Sequence, residues 1–195
     1  MAHATLDGVL IREREAADLH RLVEILRTTH LRDAYPFRPE AAAPGWLVRH
    51  SGPSWVLTVD DVVVGHVALD RSDPQRGAEI VRYFLAPQAR GTGGASMLLR
   101  HALHHAIPDG RDPWLVVMPH NVAAIAVYES AGFVPDGEGG WTDPDGTWHR
   151  VLRYRFSGPV EGQGVVDAPS APSAPSAGGR PPAGAGPGQV AGRTG

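Results

Sequence analysis

The chain has 195 residues, is 42% hydrophobic and 20% charged, and carries a net charge of −3. That is the make-up of a globular domain with one sizeable core, and without a basic footprint nothing points to nucleic acid as a partner. Cysteine is absent, which excludes disulfides, thiolate metal sites and any acyl-cysteine intermediate. No run of about 18 apolar residues is present to span a membrane. The opening MAHATLDGVLIRERE lacks a basic region followed by a long apolar core, so the cytoplasm is the expected location and no membrane partner is expected.

In chain order, Val9 to Arg12 predicts a first strand. Asp18 starts a helix that sets Leu19, Leu22, Val23 and Leu26 on one face, with Glu15 and Asp18 near its positive end. His30 to Gly45 reads as irregular, because Pro36 and Pro39 cannot both lie inside a regular helix; Tyr35 and Phe37 within it need cover. Trp46 and Leu47 begin a short helical turn. Trp55–Val59 and Val62–Leu69 predict a hairpin turning at Asp60-Asp61. After the polar loop Arg71 to Gly77 comes the strand Glu79 to Leu85, stopped by Pro87, which cannot donate to a ladder.

The stretch that follows carries the chemistry. Arg90-Gly91-Thr92-Gly93-Gly94-Ala95-Ser96 leads into a helical pattern of Leu99, Ala102, Leu103 and Ala106. A glycine turn between strand and helix aims the free N–H groups of the first helical turn at one point. The helix dipole adds positive potential there, so the unit is a cradle for phosphate or pyrophosphate. A Walker A loop would need Lys after its last glycine, where this chain has Ala95. A dinucleotide fingerprint fits Gly91, Gly93 and Ser96 poorly, and the turn lies mid-chain rather than after a first strand.

Downstream, Pro108 to Pro113 breaks the chain before the strand Trp114–Val117. Asn121 is a good N-cap for a helix of about three turns, and Gly132 can supply its left-handed C′ residue. Asp136 to Thr147 holds four glycines and the turn-forming Asp143-Pro144-Asp145-Gly146, and is read as a loop. Trp148, Leu152, Tyr154 and Phe156 fall on one face of a closing strand. From Ser157 the composition changes: the last 39 residues contain 7 Pro, 10 Gly and 7 Ala, with Ala-Pro-Ser three times between Ala168 and Ser176. Such a segment cannot bury enough apolar area to offset its ordering entropy. The expected organisation is a domain over 1–157 and a disordered tail over 158–195.

Two segments carry a family resemblance. Arg90-Gly91-Thr92-Gly93-Gly94-Ala95 resembles motif A of the GCN5-related N-acetyltransferases (GNAT), Gln/Arg-x-x-Gly-x-Gly/Ala, with the spacing from Pro87 favouring this frame over one that starts at Gln88. Gly94 departs from it, an aliphatic residue being usual there, and should loosen the first helical turn by about 1 kcal/mol. Asn121 to Phe133 resembles motif B, with Asn121, Ala124, Tyr128, Gly132 and Phe133 in place. The resemblance spans roughly residues 9–156 and implies an α+β fold: a mixed, mostly antiparallel central sheet with one splayed strand pair and helices on both faces. It also implies an acetyl-CoA-dependent N-acetyltransferase without a metal, in which acetyl-CoA is a co-substrate lying in the split. Members of the family often form homodimers, although no motif here specifies one.

The chemistry sets three tasks: deprotonating the amine, stabilising the oxyanion and protonating the leaving thiolate. With no cysteine, direct attack in a ternary complex is the simple route. Glu79, at the start of the strand entering the cradle, resembles the base of the histone-acetylating branch, with a spacing to the glycine turn that differs by a couple of residues. His120, with a suitable ordinary pKa, is the alternative base. The resemblance maps the oxyanion donor to the backbone N–H of Leu85, the acid to Tyr128 and a pantetheine contact to Asn121. The coenzyme set is then Phe84, Leu85, Arg90, Gly91, Thr92, Gly93, Gly94, Ala95, Ser96 and Asn121. Asp33, Glu40 and Glu79 suit a cationic acceptor, and Tyr35, Phe37 and Trp46 an apolar one. A primary amine on a small molecule is the first expectation. A protein N-terminus or lysine, or a coenzyme-binding module without catalysis, are the alternatives. His101, His104 and His105 share a helical face, but without HExxH or cysteine they read as a solvated face rather than a zinc site. Trp141 and Trp148 flank the final loop and suit either an acceptor pocket or the core.

Overall fold

The computed structural model describes residues 8–143 and 145–158. Its elements run β1 (Val9–Glu13), α1 (Asp18–Asp33), α2 (Pro44–Leu47), β2 (Ser54–Val59), β3 (Val62–Asp70), β4 (Glu79–Leu85), α3 (Gly94–Ala106), β5 (Trp114–Val117), α4 (Val122–Ser130), β6 (Phe133–Thr142) and β7 (Trp148–Phe156). The tail expected from residue 158 lies outside the described residues apart from Gly158.

Local chemistry explains the first half. Asp18 is 6% exposed and accepts two hydrogen bonds from the Arg12 guanidinium, at 2.7 and 2.8 Å, and one from the Glu15 amide. These bonds tie the end of β1 to the start of α1. Leu22, Val23, Ile25 and Leu26 then bury one face of that helix. Asp60 and Asp61 both take left-handed φ values, 48° and 64°, as a two-residue turn between strands of right-handed twist requires. β3 is buried at every position from Val63 to Leu69, so the sheet is covered on both faces there. α1 and α3 both contact β3 and β4.

The sheet has seven strands in the order β1-β2-β3-β4-β5-β7-β6, antiparallel throughout except between β4 and β5. That parallel pair is joined in the ladder at one position, Glu79↔Trp114. Beyond it the strands part, so the sheet is split along its middle. Gly77 permits the close approach at the vertex, since a Cβ there would lie 2.2 Å from the Asp112 carbonyl oxygen. The fold is the α+β arrangement expected, with its mixed, mostly antiparallel sheet and splayed pair.

Three local expectations need correction. The segment read as a loop from Asp136 is largely strand: β6 runs to Thr142, pairs with β7 along its length and holds a register shift between Pro135 and Glu138. Trp148 is 59% exposed and does not share the buried face of Tyr154 and Phe156. The histidine face of α3 is not simply solvated: His101 and His105 pack on the Trp55 ring at centroid distances of 5.1 and 4.7 Å. Burial holds the His101 pKa below its usual value.

Candidate active site

Along the split lies a cleft of about 1110 Å³, walled by β4 and β5, the start of α3, α4 and the segment joining α1 to α2. Its geometry begins in β4. Opposite β3, His66 faces Phe84 and Ala68 faces Val81, so Arg82 and Tyr83 together oppose Val67 in a β-bulge. Arg82 takes a left-handed φ of 49°. Its carbonyl lies 2.8 Å from Nδ1 of His66, which is fully buried. Burial pushes the His66 pKa down to about 3, so the neutral ring donates Nδ1–H to that carbonyl and holds the bulge. Past it, Ala86 donates to Val64 on β3 at 2.7 Å. Amides of alternate residues point to opposite strand edges, so the Leu85 N–H points away from β3, into the split.

The glycine turn lies at the wide end. Gly91 and Gly93 have φ of 77° and 84°, and a Cβ on either would meet nothing within 4 Å; the turn needs their backbone conformation and leaves their outer faces open. Thr92 braces it by donating its hydroxyl to the Ala89 carbonyl at 2.9 Å. Met97 donates the first intrahelical bond, to Gly93, so the amides at the head of α3 face outward. Gly94 has a packing role: a Cβ there would come within 2.7 Å of Leu57 Cδ2. Its departure from the usual aliphatic residue lets α3 sit close on β2, which sequence reasoning took only as a weakened turn.

Of the residues expected to hold a coenzyme, Phe84, Leu85, Arg90, Gly91, Ala95 and Asn121 line the cleft, while Thr92, Gly93, Gly94 and Ser96 shape the turn behind it. The Arg90 guanidinium bonds Asp33 at the end of α1, occupying the carboxylate expected to attract a cation. Asn121 caps α4 by accepting the Ala124 amide at 3.3 Å, which leaves its side-chain NH₂ available at the cleft.

 The Glu79 side chain lies at the vertex, is partly buried, lines the cleft and forms no ion pair among the described residues. Burial pushes its pKa up to about 7, and Asp70, its direct partner across β3, adds to the rise. A carboxyl group so placed exchanges protons near neutrality. His120, the alternative base, is exposed at the cleft's edge.

Tyr128 is buried on α4, and burial pushes its pKa up, so it stays a phenol. Its ring lies 5.9 Å from that of Tyr83. Tyr83 was missed by sequence reasoning, which treated β4 as a simple strand. Its buried hydroxyl has no partner among the described residues. On the acceptor side, Tyr35 packs against Trp46 and Phe84 at 6.0 and 6.2 Å. Phe37 reaches across to Trp141 and His149 at 5.5 and 4.5 Å. Trp141 lines the cleft with them, whereas Trp148 does not. Among the described residues no group of three or more His, Asp or Glu side chains is placed to hold a metal ion, and no described helix is long and apolar enough to cross a membrane.

A sheet split beside a helix that begins in a glycine turn defines the class of fold. Residues 19–133 match the acetyltransferase (GNAT) family, and the chain belongs to it. No curated protein matches the chain. Among solved structures it is similar to the protein yncA of Salmonella typhimurium, determined with its cofactor acetyl-CoA: 21% identity over 76% of this chain and 93% of that one, TM-score 0.59. It is also similar to a spermidine N-acetyltransferase from Vibrio cholerae in complex with CoA and spermine, at 23% identity over 77% and 95% of the two chains, TM-score 0.60. A third is the ribosomal-protein-S18-alanine N-acetyltransferase from Escherichia coli, at 21% identity over 76% and 92%, TM-score 0.60. At these identities the likeness concerns the fold.

Proposed function

We propose that the protein is an acetyl-CoA-dependent N-acetyltransferase that moves an acetyl group to a primary amine of a small molecule by direct attack in a ternary complex. The observation that carries this reading is the single cleft joining the glycine turn, the Leu85 amide, Tyr128 and Glu79. The residues fit the co-substrate: open glycines and outward amides at the head of α3 suit a diphosphate, and the split is free of a pairing strand beyond the vertex.

Glu79 removes a proton from the acceptor ammonium, directly or through water. The amine nitrogen then bonds to the thioester carbonyl carbon. The Leu85 N–H donates to the oxygen as it becomes negative, a pre-aimed donor of the kind that lowers acyl-transfer barriers. When the carbon–sulfur bond breaks, Tyr128 O–H protonates the departing thiolate, and the amide nitrogen's surplus proton returns to solvent. The aromatic walls from Tyr35, Trp46 and Trp141 favour a small acceptor over an extended chain. Thiol release from acetyl-CoA across an amine panel tests the reading. Calorimetry that detects no association with acetyl-CoA would refute it.

A further inference from the structure

The charges on the cleft wall are unevenly matched. Asp33 and Arg90 neutralise each other, and Arg38 is paired with Asp143. Arg49 and Arg82 also line the cleft, yet among the described residues neither has a carboxylate within salt-bridge distance. Arg82 is partly buried and lies over the Trp46 ring, 5.1 Å from its centroid. It donates Nε–H to the Trp46 carbonyl at 2.9 Å and Nη2–H to the Arg49 carbonyl. Those bonds tie the end of α2 to β4, but they use two of five N–H donors and both acceptors are neutral. No carboxylate completes an ion pair with Arg82 among the described residues. Burial lowers the Arg82 pKa, Asp70 and Glu79 act against that, and Arg49 adds a second cation nearby.

Glu79 stands three residues earlier on the same strand, across the bulge, with no ion pair of its own. Glu40, exposed, also lines the cleft without an ion pair among the described residues, so unpaired carboxylates and an unpaired guanidinium pair share it. A polycation would meet Glu79 favourably and Arg82 and Arg49 unfavourably. A zwitterion satisfies both ends, because a planar guanidinium matches a carboxylate in a two-point fit.

We infer that the acceptor is an amine that also bears a carboxylate, an amino acid or close derivative, with its nitrogen at Glu79, its carboxylate at Arg82 and Arg49, and its side chain among Tyr35, Trp46 and Trp141. This inference rests on the acetyl transfer proposed above. The test uses matched pairs that differ in the carboxylate alone: phenylalanine with phenethylamine, tryptophan with tryptamine, leucine with isoamylamine, and spermidine as the polycation. In the wild type, kcat/KM for the best amino acid exceeds that of its decarboxylated partner at least tenfold. Arg49→Ala and Arg82→Gln shrink that ratio severalfold or more, chiefly through KM for the amino acid. Arg49 is exposed, so its variant decides the matter even if Arg82→Gln does not fold. Equal or better turnover of the decarboxylated amines or spermidine, or an unchanged ratio in Arg49→Ala, overturns the inference and leaves acetyl transfer standing. Thiol release with no amine at all overturns the proposed function, and the inference with it.

Discussion

Replacing Glu79 with glutamine separates catalysis from folding. Glutamine has the shape of the protonated acid and cannot accept the proton. If Glu79 is the base, turnover falls by about 10²–10⁴-fold. The wild-type kcat/KM rises with pH through about 7, and the variant loses that limb. Stability moves the other way. The folded-state pKa is about 7 against an ordinary 4.5, so the folded protein holds a proton that the unfolded chain has released. Stability from this site is full below about pH 4.5 and is lost as pH rises through about 7. At ~1.4 kcal/mol per tenfold, the gap amounts to at most about 3.5 kcal/mol. Glu79→Gln should therefore match the wild type near pH 4.5 and exceed it at pH 8, by up to about 5–10 °C in Tm for a domain of this size. Thermal melts at both pH values, beside a pH–rate profile, make the assay. A variant that is no more stable than the wild type at pH 8, with an unchanged rate profile, would refute both the burial argument and the role.

Tyr128→Phe should bind acetyl-CoA with nearly the wild-type Kd but turn over about 10²-fold more slowly; calorimetry and thiol release measure the two, and unaltered turnover would shift attention to Tyr83. Gly77→Ala drives a methyl group against the Asp112 carbonyl oxygen, so a loss of about 1–3 kcal/mol or more is expected in denaturant unfolding; a neutral result would mean that β4 and β5 are not so closely set at the vertex. Asp18→Asn weakens the bonds from Arg12 and should cost about 2–3 kcal/mol at pH 7. The Asp18 pKa lies below 3.8, led by its bond to Arg12, so this contribution is present above about pH 4 and fades as pH falls through the lowered value; equal stability of variant and wild type at pH 7 would contradict it.

Much of this was legible in the sequence where one residue type has one physical use. Gly91 and Gly93 predicted the turn because few other residues adopt their φ, Asn121 predicted a cap, and Asp60-Asp61 predicted the hairpin. β6 was hidden because Gly137, Gly139 and Gly140 are poor strand formers, and pairing with β7 overrode their propensity. The bulge at Arg82 was hidden too, since nothing local announces it: it depends on His66, sixteen residues away, which only folding brings to the Arg82 carbonyl. For the same reason Tyr83 and the unpaired arginines came to light only in three dimensions.

The single ladder pair at Glu79 and Trp114 makes the sheet resemble a pair of compasses. β4 runs about 20 Å from that joint to Leu85. Opening the legs by about 3° displaces the far tip by roughly 1 Å and the joint hardly at all. Substitutions on the outer helices can therefore adjust the gape at the wide end of the split, while the carboxyl group at the joint keeps its position.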